Sequence, residues 1–440
     1  GLIEVFIDHE ILPLNTEYRI VDCEEGSEIP AQALRSRSEG TYWAIWAKNV
    51  PALGYKVYRI ETGKSKTETP LPVKEDATRL ENRFYTLVLD PQTGAVISLV
   101  DRETQKELVD ASGKWKIGQL IYETLNAKDR EFALDAFQRT TLQSCQIQTG
   151  AQGPIWQSVV LTGEMDGCAK PNGIRCEIRL YETEKRIELL FSIRKNPITD
   201  PEAVYVAFPF NQANGKIVYE AQGGVVQPGT DQIPRSSSDW QTVQNYVSIR
   251  NEEGQIVLVS DQVPLVQFGD INLGKWQESV KIEKPSVFSW VMNNYWFTNF
   301  RASQEGEFRW RYAITSTTDT GNPMATQFGW GTRIPLVARV MPPVEKEATQ
   351  PYPYVKSILP AIHPNLLLVE AVPARYGKGL ILHLREVAGA ETLWDWNEGQ
   401  ADKTNLNYMV EVNVLEKEVG TYTSKLAFRP YETKFVKYLW

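Results

Sequence analysis

The chain of 440 residues is 42% hydrophobic and 23% charged, and it carries a formal net charge of −8. At roughly 100–200 residues per domain, this length predicts two to four domains of an ordinary soluble globular protein. The acidic balance argues against nucleic acid and against an anionic membrane as partners, because both attract basic surfaces. No apolar run approaches the ~18 residues of a membrane-spanning helix, so we predict no membrane contact.

Strands and turns are predicted along nearly the whole sequence, which indicates an all-β fold. The chain opens in a predicted strand, residues 2–7, without a targeting segment; it predicts no compartment, and we expect further sequence upstream of Gly1. A hairpin is predicted over residues 84–100, where the turn DPQTG separates two apolar runs. One helix is predicted, around residues 129–142. Further strands are predicted at residues 186–191, 205–210, 255–259, 307–314, 366–372, 379–384, 408–415 and 424–429.

Changes in composition divide the chain into three units. A polar stretch at residues 61–74 and a proline-rich stretch at residues 341–354 are typical of linkers. They separate a small β domain, residues 1–70, from a large β domain, residues 75–340, and the latter from a C-terminal β domain, residues 350–440. The middle unit contains nearly all of the glycine-rich and aromatic-rich loops, so we expect binding contacts there.

Residues 287–316 combine aromatic rings with side-chain amides. This composition is typical of sugar binding, because rings cover the apolar C–H faces of a sugar and amides exchange hydrogen bonds with its hydroxyls. The alternative interpretation is a pair of strands whose rings fill a core and whose asparagines build the turn between them. A second polar and aromatic loop covers residues 228–240. From chemistry alone, the candidate substrate contacts in these two segments are Asp239, Trp240, Asn293, Asn294, Tyr295 and Trp296.

Residues for a complete catalytic centre are scarce. The chain has 3 histidines, and none lies between residues 10 and 362, whereas an enzyme that uses imidazole needs one near its cleft. Asp231 and Asp239 share one loop and could serve as the two carboxylates of glycoside hydrolysis. The alternative is that one of them caps a turn while the other pairs with Arg235.

Cysteine spacing offers no metal site either. The four cysteines show neither a CxxC motif nor a zinc-type spacing, so we expect free thiols. The sequence therefore predicts recognition by rings and amides, with no catalytic residue and no metal ligand or other cofactor site in this chain.

Several passages together resemble the C-terminal half of the glycoside hydrolase family 38 α-mannosidases. Each passage is short, and their order along nearly the whole chain makes the set specific. They are VPALGY at 50–55, ENRFY at 81–85, DPQTG at 90–94, DRETQKEL at 101–108, RLYE at 179–182, LREVAG at 384–389 and RPYET at 429–433.

The resemblance implies a large galactose-mutarotase-like supersandwich flanked by two smaller β-sandwich domains. It implies a retaining exo-α-mannosidase that acts on mannosides, with zinc and the catalytic carboxylates in an N-terminal barrel upstream of Gly1. That barrel is the implied partner, and we expect an extended, partly apolar surface for it on the sandwich. It also implies that Tyr122 is a sandwich tyrosine that touches bound mannose; the alternative is an ordinary strand tyrosine.

Two other functions remain open from the residues. One is a self-contained sugar enzyme on a supersandwich, of the aldose epimerase or polysaccharide lyase type, which the gap in histidines disfavours. The other is a carbohydrate-binding module without an enzymatic parent.

Overall fold

The computed structural model describes residues 1–65, 76–126, 134–275, 277–296, 299–341, 352–359, 361–397 and 408–439. Within these ranges the chain forms 33 strands, one α-helix and one 3₁₀-helix, and the strands form eight antiparallel sheets. The prediction of an all-β fold is thus confirmed. In the described part of the chain, no helix is long and apolar enough to cross a membrane.

The N-terminal strands form two three-stranded sheets that share one apolar core. Strand order is β1-β5-β4 in one sheet and β3-β2-β7 in the other. Isoleucines from both sheets meet between them, among them Ile3, Ile20 and Ile45. The strands are β1 (Leu2–Asp8), β2 (Tyr18–Asp22), β3 (Glu28–Ile29), β4 (Ala31–Ser36), β5 (Gly40–Trp46), β6 (Gly54–Lys56) and β7 (Tyr58–Thr62).

The middle of the chain opens with a small four-stranded sheet in the order β11-β10-β9-β8. Its central hairpin is the predicted one, which is confirmed. The predicted helix is wrong within the described residues, because a 3₁₀ turn, Leu134–Ala136, leads into a strand with alternating exposure that pairs with β12. The strands are β8 (Arg79–Glu81), β9 (Tyr85–Leu89), β10 (Val96–Asp101), β11 (Lys106–Glu107), β12 (Gln119–Leu125) and β13 (Phe137–Thr141).

The rest of the middle unit completes two large sheets. The six-stranded sheet has the order β13-β12-β18-β25-β24-β21, and the nine-stranded sheet has the order β14-β15-β16-β17-β26-β23-β22-β19-β20. The strands are β14 (Gln143–Gln152), β15 (Trp156–Glu164), β16 (Ile174–Tyr181), β17 (Ile187–Lys195), β18 (Glu202–Pro209), β19 (Lys216–Ala221), β20 (Gly224–Val226), β21 (Gln241–Thr242), β22 (Tyr246–Asn251), β23 (Gly254–Ser260), β24 (Leu265–Phe268), β25 (Ser286–Asn293) and β26 (Gly306–Thr317).

The two large sheets enclose the main apolar core between them. Leu189 and Tyr312 from the nine-stranded sheet pack in the same cluster as Phe208 and Val287 from the six-stranded sheet. Every residue of β18 is buried, since this strand has one face in the core and the other under loops. The two strands predicted in residues 287–316 exist, but they belong to different sheets and do not form a hairpin.

A short helix that the sequence analysis did not predict lies on the back of the nine-stranded sheet. It is α1 (Asn322–Arg333), and it packs against Tyr246 and Ala313. Gly329 fits closely there, since a Cβ atom at this position would lie 3.1 Å from a ring carbon of Tyr246. The two glycines of α1 have low helix propensity, so the packing of this segment against the sheet determines that it is helical.

The C-terminal strands form a four-stranded sheet, β28-β29-β33-β31, and the pair β30-β32. A buried carboxylate, Glu220, joins this unit to the sandwich: Trp330 Nε1 donates to it over 3.1 Å, and the Arg385 guanidinium lies 3.7 Å away. The strands are β27 (Val355–Ser357), which pairs with β6, then β28 (Leu366–Pro373), β29 (Leu380–Glu386), β30 (Thr392–Asp395), β31 (Tyr408–Val412), β32 (Lys425–Phe428) and β33 (Thr433–Leu439).

One buried ion pair lies where the chain passes from the nine-stranded to the six-stranded sheet. Lys195 ends β17, Glu202 begins β18, and their Nζ and Oε1 atoms are 2.6 Å apart with side chains 0% and 5% exposed. The Tyr122 hydroxyl donates to the other Glu202 oxygen over 2.5 Å. The Asn294 side chain accepts the Glu202 N–H over 2.7 Å. We call the cluster of Lys195, Glu202, Tyr122 and Asn294 the crossing junction. The Glu202 carboxylate and backbone N–H thus both have partners within it.

Replacing Lys195 by Met is expected to lower the free energy of unfolding by about 3–5 kcal/mol, because Glu202 would remain as a buried charge without its cation. Urea denaturation followed by tryptophan fluorescence measures this loss. The double variant Lys195→Met/Glu202→Leu should recover most of it, since both charges then leave the core.

The matched control is Lys106→Met, which removes the cation of an exposed pair with Glu253, whose side chains are 40% and 66% exposed. We expect less than about 1 kcal/mol from it. A loss for Lys195→Met no larger than that of the control would contradict a structural role of the crossing junction.

Candidate functional site

The outer face of the six-stranded sheet, the side turned away from the main core, is lined by large side chains. Residues alternate along each strand, so Ile121 and Tyr205 lie on this face while their neighbours Tyr122 and Val204 face the core. Trp290 extends the same outer cluster on β25. The face thus carries its own apolar layer, separate from the interior of the sandwich.

Four rings on this face form a continuous aromatic platform: Tyr205, Trp240, Trp290 and Tyr295. Trp290 lies at its centre, with its ring centroid 6.1 Å from that of Tyr205, 5.4 Å from that of Trp240 and 6.5 Å from that of Tyr295. Trp290 is 6% exposed and Trp240 is 38% exposed. Trp240 therefore presents ring surface to solvent on a rigid buried support.

A fully buried carboxylate holds the platform in place. Arg139 Nε donates to Glu123 over 2.5 Å, the Tyr295 hydroxyl donates over 2.6 Å, and the Tyr205 hydroxyl donates over 3.2 Å. Burial, followed by the charge of Glu123, raises the pKa of both tyrosines. Both hydroxyls therefore stay protonated and act as donors at physiological pH.

The segment after β25, which we call the aromatic loop (residues 294–296 and 299–302), is fixed from two sides. Asn294 Nδ2 donates to the carbonyls of Ile198, Asp200 and Ala302, at 3.0, 2.9 and 3.2 Å. Asn294 therefore fastens the loop to the crossing junction, while the residue that follows it bonds to the carboxylate on the outer face.

The aromatic loop presents two rings to solvent. Trp296 is 47% exposed and Phe300 is 62% exposed. Their ring centroids are 5.6 Å apart, and Trp296 Nε1 donates to Asn299 Oδ1 over 3.2 Å. Exposed rings on an anchored loop are suited to contact a ligand or another protein surface.

The predicted substrate contacts occupy different surroundings. Trp240 and Tyr295 meet in the platform, and Asp239 lies beside it in sequence, partly buried, with burial raising the pKa of its carboxyl. Asn293 is exposed at the end of β25. Tyr122 is 5% exposed and bonds to the crossing junction, so its contact with mannose stays a prediction.

The two aspartates weighed as a catalytic pair have separate surroundings. Asp231 accepts the Gln227 N–H over 2.7 Å, which closes a turn. Arg235 lies 3.9 Å from Glu278. Asp231 thus holds a turn that follows β20, and the ion-pair partner of Arg235 is Glu278.

Across the ranges that the structure describes, no group of three or more His, Cys, Asp or Glu side chains could hold a metal ion. Cys23, Cys145, Cys168 and Cys176 are free thiols, as predicted.

The sequence analysis missed the residues that support the site: Glu123, Arg139, Tyr205 and Trp290. One signal was available for Glu123, the single charged residue of the strand QLIYETL. A carboxylate that is buried in such a strand requires hydrogen-bond donors from other residues. Its presence therefore indicates a buried polar cluster.

Comparison with known proteins was made by family and by structure. Residues 80–264 match the family described as glycosyl hydrolases family 38 C-terminal domain. No curated protein matches the sequence.

Two solved structures are similar over 99% of this chain, each with 13% sequence identity. One is described as an alpha-mannosidase from Enterococcus faecalis V583, with a TM-score of 0.71 and 54% of its own chain covered. The other is described as a protein in the glycosyl hydrolase family 38 from Enterococcus faecalis, with a TM-score of 0.72 and 56% covered. This chain therefore spans about half the length of both.

A galactose mutarotase related enzyme from Lactobacillus acidophilus matches over 55% of this chain and 97% of its own, with 10% identity and a TM-score of 0.31. A score this low supports no argument about function. The family match and the two longer structural matches agree with each other and with the motifs read from the sequence. Residues 80–264 are thus similar to the C-terminal domain of glycosyl hydrolases family 38, and the chain has the all-β fold that the sequence predicted.

Proposed function

We propose that this chain is the C-terminal β region of a family 38 glycoside hydrolase that acts as a retaining exo-α-mannosidase. The observation that carries the proposal is the family match over residues 80–264, within a chain that shares its fold with a protein described as an alpha-mannosidase. On this proposal, the chain supports an N-terminal catalytic barrel of the same polypeptide and lines the rim of the mannose pocket.

The surface around the six-stranded sheet supports a barrel as partner. Large apolar side chains are exposed on the loops that border this sheet, and a partner that covered them would remove apolar area from water. The burial of each such side chain makes the free energy of association more favourable, and these contributions add up over the exposed residues. The exposed residues are Leu134, Trp296 and Phe300.

Zinc is implied by the family, but the described residues of this chain do not offer a set of ligands for it. We therefore assign zinc to the barrel. The carboxylates that act as acid and nucleophile are assigned to the barrel as well.

The role of this chain's own residues is to orient the substrate and exclude water. The exposed face of Trp240 can cover the apolar face of a sugar ring, and the Asn293 amide can exchange hydrogen bonds with its hydroxyls. Asp239 lies beside Trp240, and burial raises the pKa of its carboxyl.

The purified chain is expected neither to bind stoichiometric zinc nor to hydrolyse 4-nitrophenyl α-D-mannopyranoside, because both tasks belong to the barrel. Metal analysis after dialysis and release of nitrophenolate measure the two properties. The positive control is the protein from the complete reading frame that encodes this chain. Turnover by the chain alone that disappears in Asp239→Asn would overturn the proposal.

A second prediction concerns the rim. Tyr295→Phe removes the 2.6 Å hydrogen bond from the hydroxyl to Glu123 and should speed amide hydrogen exchange in the aromatic loop. The loss of a hydrogen bond to a charged group should also lower the free energy of unfolding by about 1.5–3 kcal/mol. Exchange followed by mass spectrometry measures the first effect, and urea denaturation measures the second.

The matched control is Tyr422→Phe, which removes a 2.8 Å hydrogen bond from a tyrosine to Glu418 on the protein surface. Water replaces that bond, so we expect no change in exchange or stability. Equal behaviour of the two variants would show that Glu123 does not hold the loop.

A further inference from the structure

A depression lies between two polypeptide segments beside the aromatic platform. We call it the serine depression. Its cavity volume is about 310 Å³, which is the lower end of the size range of small-molecule sites. It is lined by residues 229, 230, 232–238 and 278–280.

The walls of the serine depression are fastened by hydrogen bonds. Gln241 accepts a hydrogen bond from Gln232 Nε2 over 2.7 Å and donates one to the carbonyl of Ser237 over 3.2 Å. Ser238 Oγ donates across the depression to the Gln277 carbonyl over 2.8 Å. A binding site with such bonds is largely formed before the ligand arrives, which lowers the entropic cost of binding.

The two segments also approach each other closely. Gly229 has a φ of +73°, and a Cβ atom there would lie 3.3 Å from Val280. A larger residue at this position would be strained by its backbone conformation and would meet Val280. The glycine thus sets the width of the depression on that side.

The lining is rich in hydroxyl groups and carries no net charge. Its two charged residues, Arg235 and Glu278, have opposite signs, lie 3.9 Å apart and are 81% and 83% exposed. An anion such as phosphate would require an excess of cations, which this lining does not supply. Hydroxyls and amides next to apolar groups suit a neutral ligand with many hydroxyls. The polar side chains are Thr230, Gln232, Ser236, Ser237, Ser238 and Ser279, and the apolar ones are Ile233, Pro234 and Val280.

We propose that the serine depression is a subsite for one hexose unit of a neutral oligosaccharide. Ser238 in its wall precedes Trp240 by two residues, and Gln241, which bonds to Gln232 and Ser237 of the same wall, follows Trp240 directly. The next sugar unit can therefore stack on the exposed ring of Trp240. The identity of that sugar as a mannoside rests on the function proposed above.

Titration calorimetry of the chain with α-mannobiose tests the subsite, and methyl α-D-mannopyranoside and inorganic phosphate serve as comparison ligands. We expect saturable binding of the disaccharide, weaker binding of the monosaccharide and none of phosphate. Ser237→Trp should fill the depression and weaken disaccharide binding by about tenfold or more, which corresponds to at least ~1.4 kcal/mol. Trp240→Ala should weaken disaccharide binding while leaving the monosaccharide nearly unchanged.

Two further variants keep the test decisive. Ser236→Trp fills the same depression from another exposed position, and Gln92→Trp places the same indole on an exposed turn of the four-stranded sheet as control. Phosphate binding, no saccharide binding, or equal affinity in the filled variants and the control would overturn the subsite. Saccharide binding by a chain whose complete protein fails to cleave α-mannosides would instead overturn the proposed function and leave the subsite standing.

Discussion

The arrangement of the two large sheets depends on the buried ion pair between Lys195 and Glu202. Two of the chain's passages between the sheets, after β17 and after β25, meet at this pair, and Asn294 connects them through the Glu202 N–H and through the carbonyls of Ile198 and Asp200. A buried charge is tolerated only when it is paired and hydrogen-bonded. Because every partner of Glu202 comes from a different segment, the pair specifies how these segments meet.

A second buried carboxylate, Glu123 in the neighbouring strand β12, repeats this solution on the other face of the same sheet. Tyr122 and Glu123 are neighbours in β12, and the first points into the core while the second points to the outer face. Glu123 is held by an arginine and two tyrosines, as Glu202 is held by a lysine and a tyrosine. Asn294 accepts the backbone N–H of Glu202 and Tyr295 donates to the carboxylate of Glu123, so this dipeptide is held at both buried acids and the direction in which the loop leaves β25 is fixed.

Local patterns in the sequence were sufficient to predict most of the strands and the first hairpin, because alternation and turn residues act over a few positions. They were not sufficient for the site. Asn294 and Tyr295 were predicted to touch a sugar, and the structure gives both of them buried partners within the chain. Amides and rings can either contact a sugar or hold a loop in place. Their role here depends on Glu123 and Glu202, which are distant in the sequence. The helix α1 depends in the same way on its contact with Tyr246.

The exposed side chains near the aromatic platform are of two chemical kinds, apolar rings on the aromatic loop and polar groups in the serine depression. Trp296 and Phe300 offer apolar area on an anchored loop, and such area is stabilised when a protein surface covers it. The serine depression offers hydroxyls, amides and a balanced pair of charges, which water already satisfies and which a neutral sugar can replace at little cost. Trp240 combines both properties, because one part of its ring packs against Trp290 and another part is exposed to solvent. On the proposed function the chain contacts both a catalytic barrel and a glycan, and this division suits both, because a single apolar surface would serve the partner and leave the sugar without hydrogen bonds.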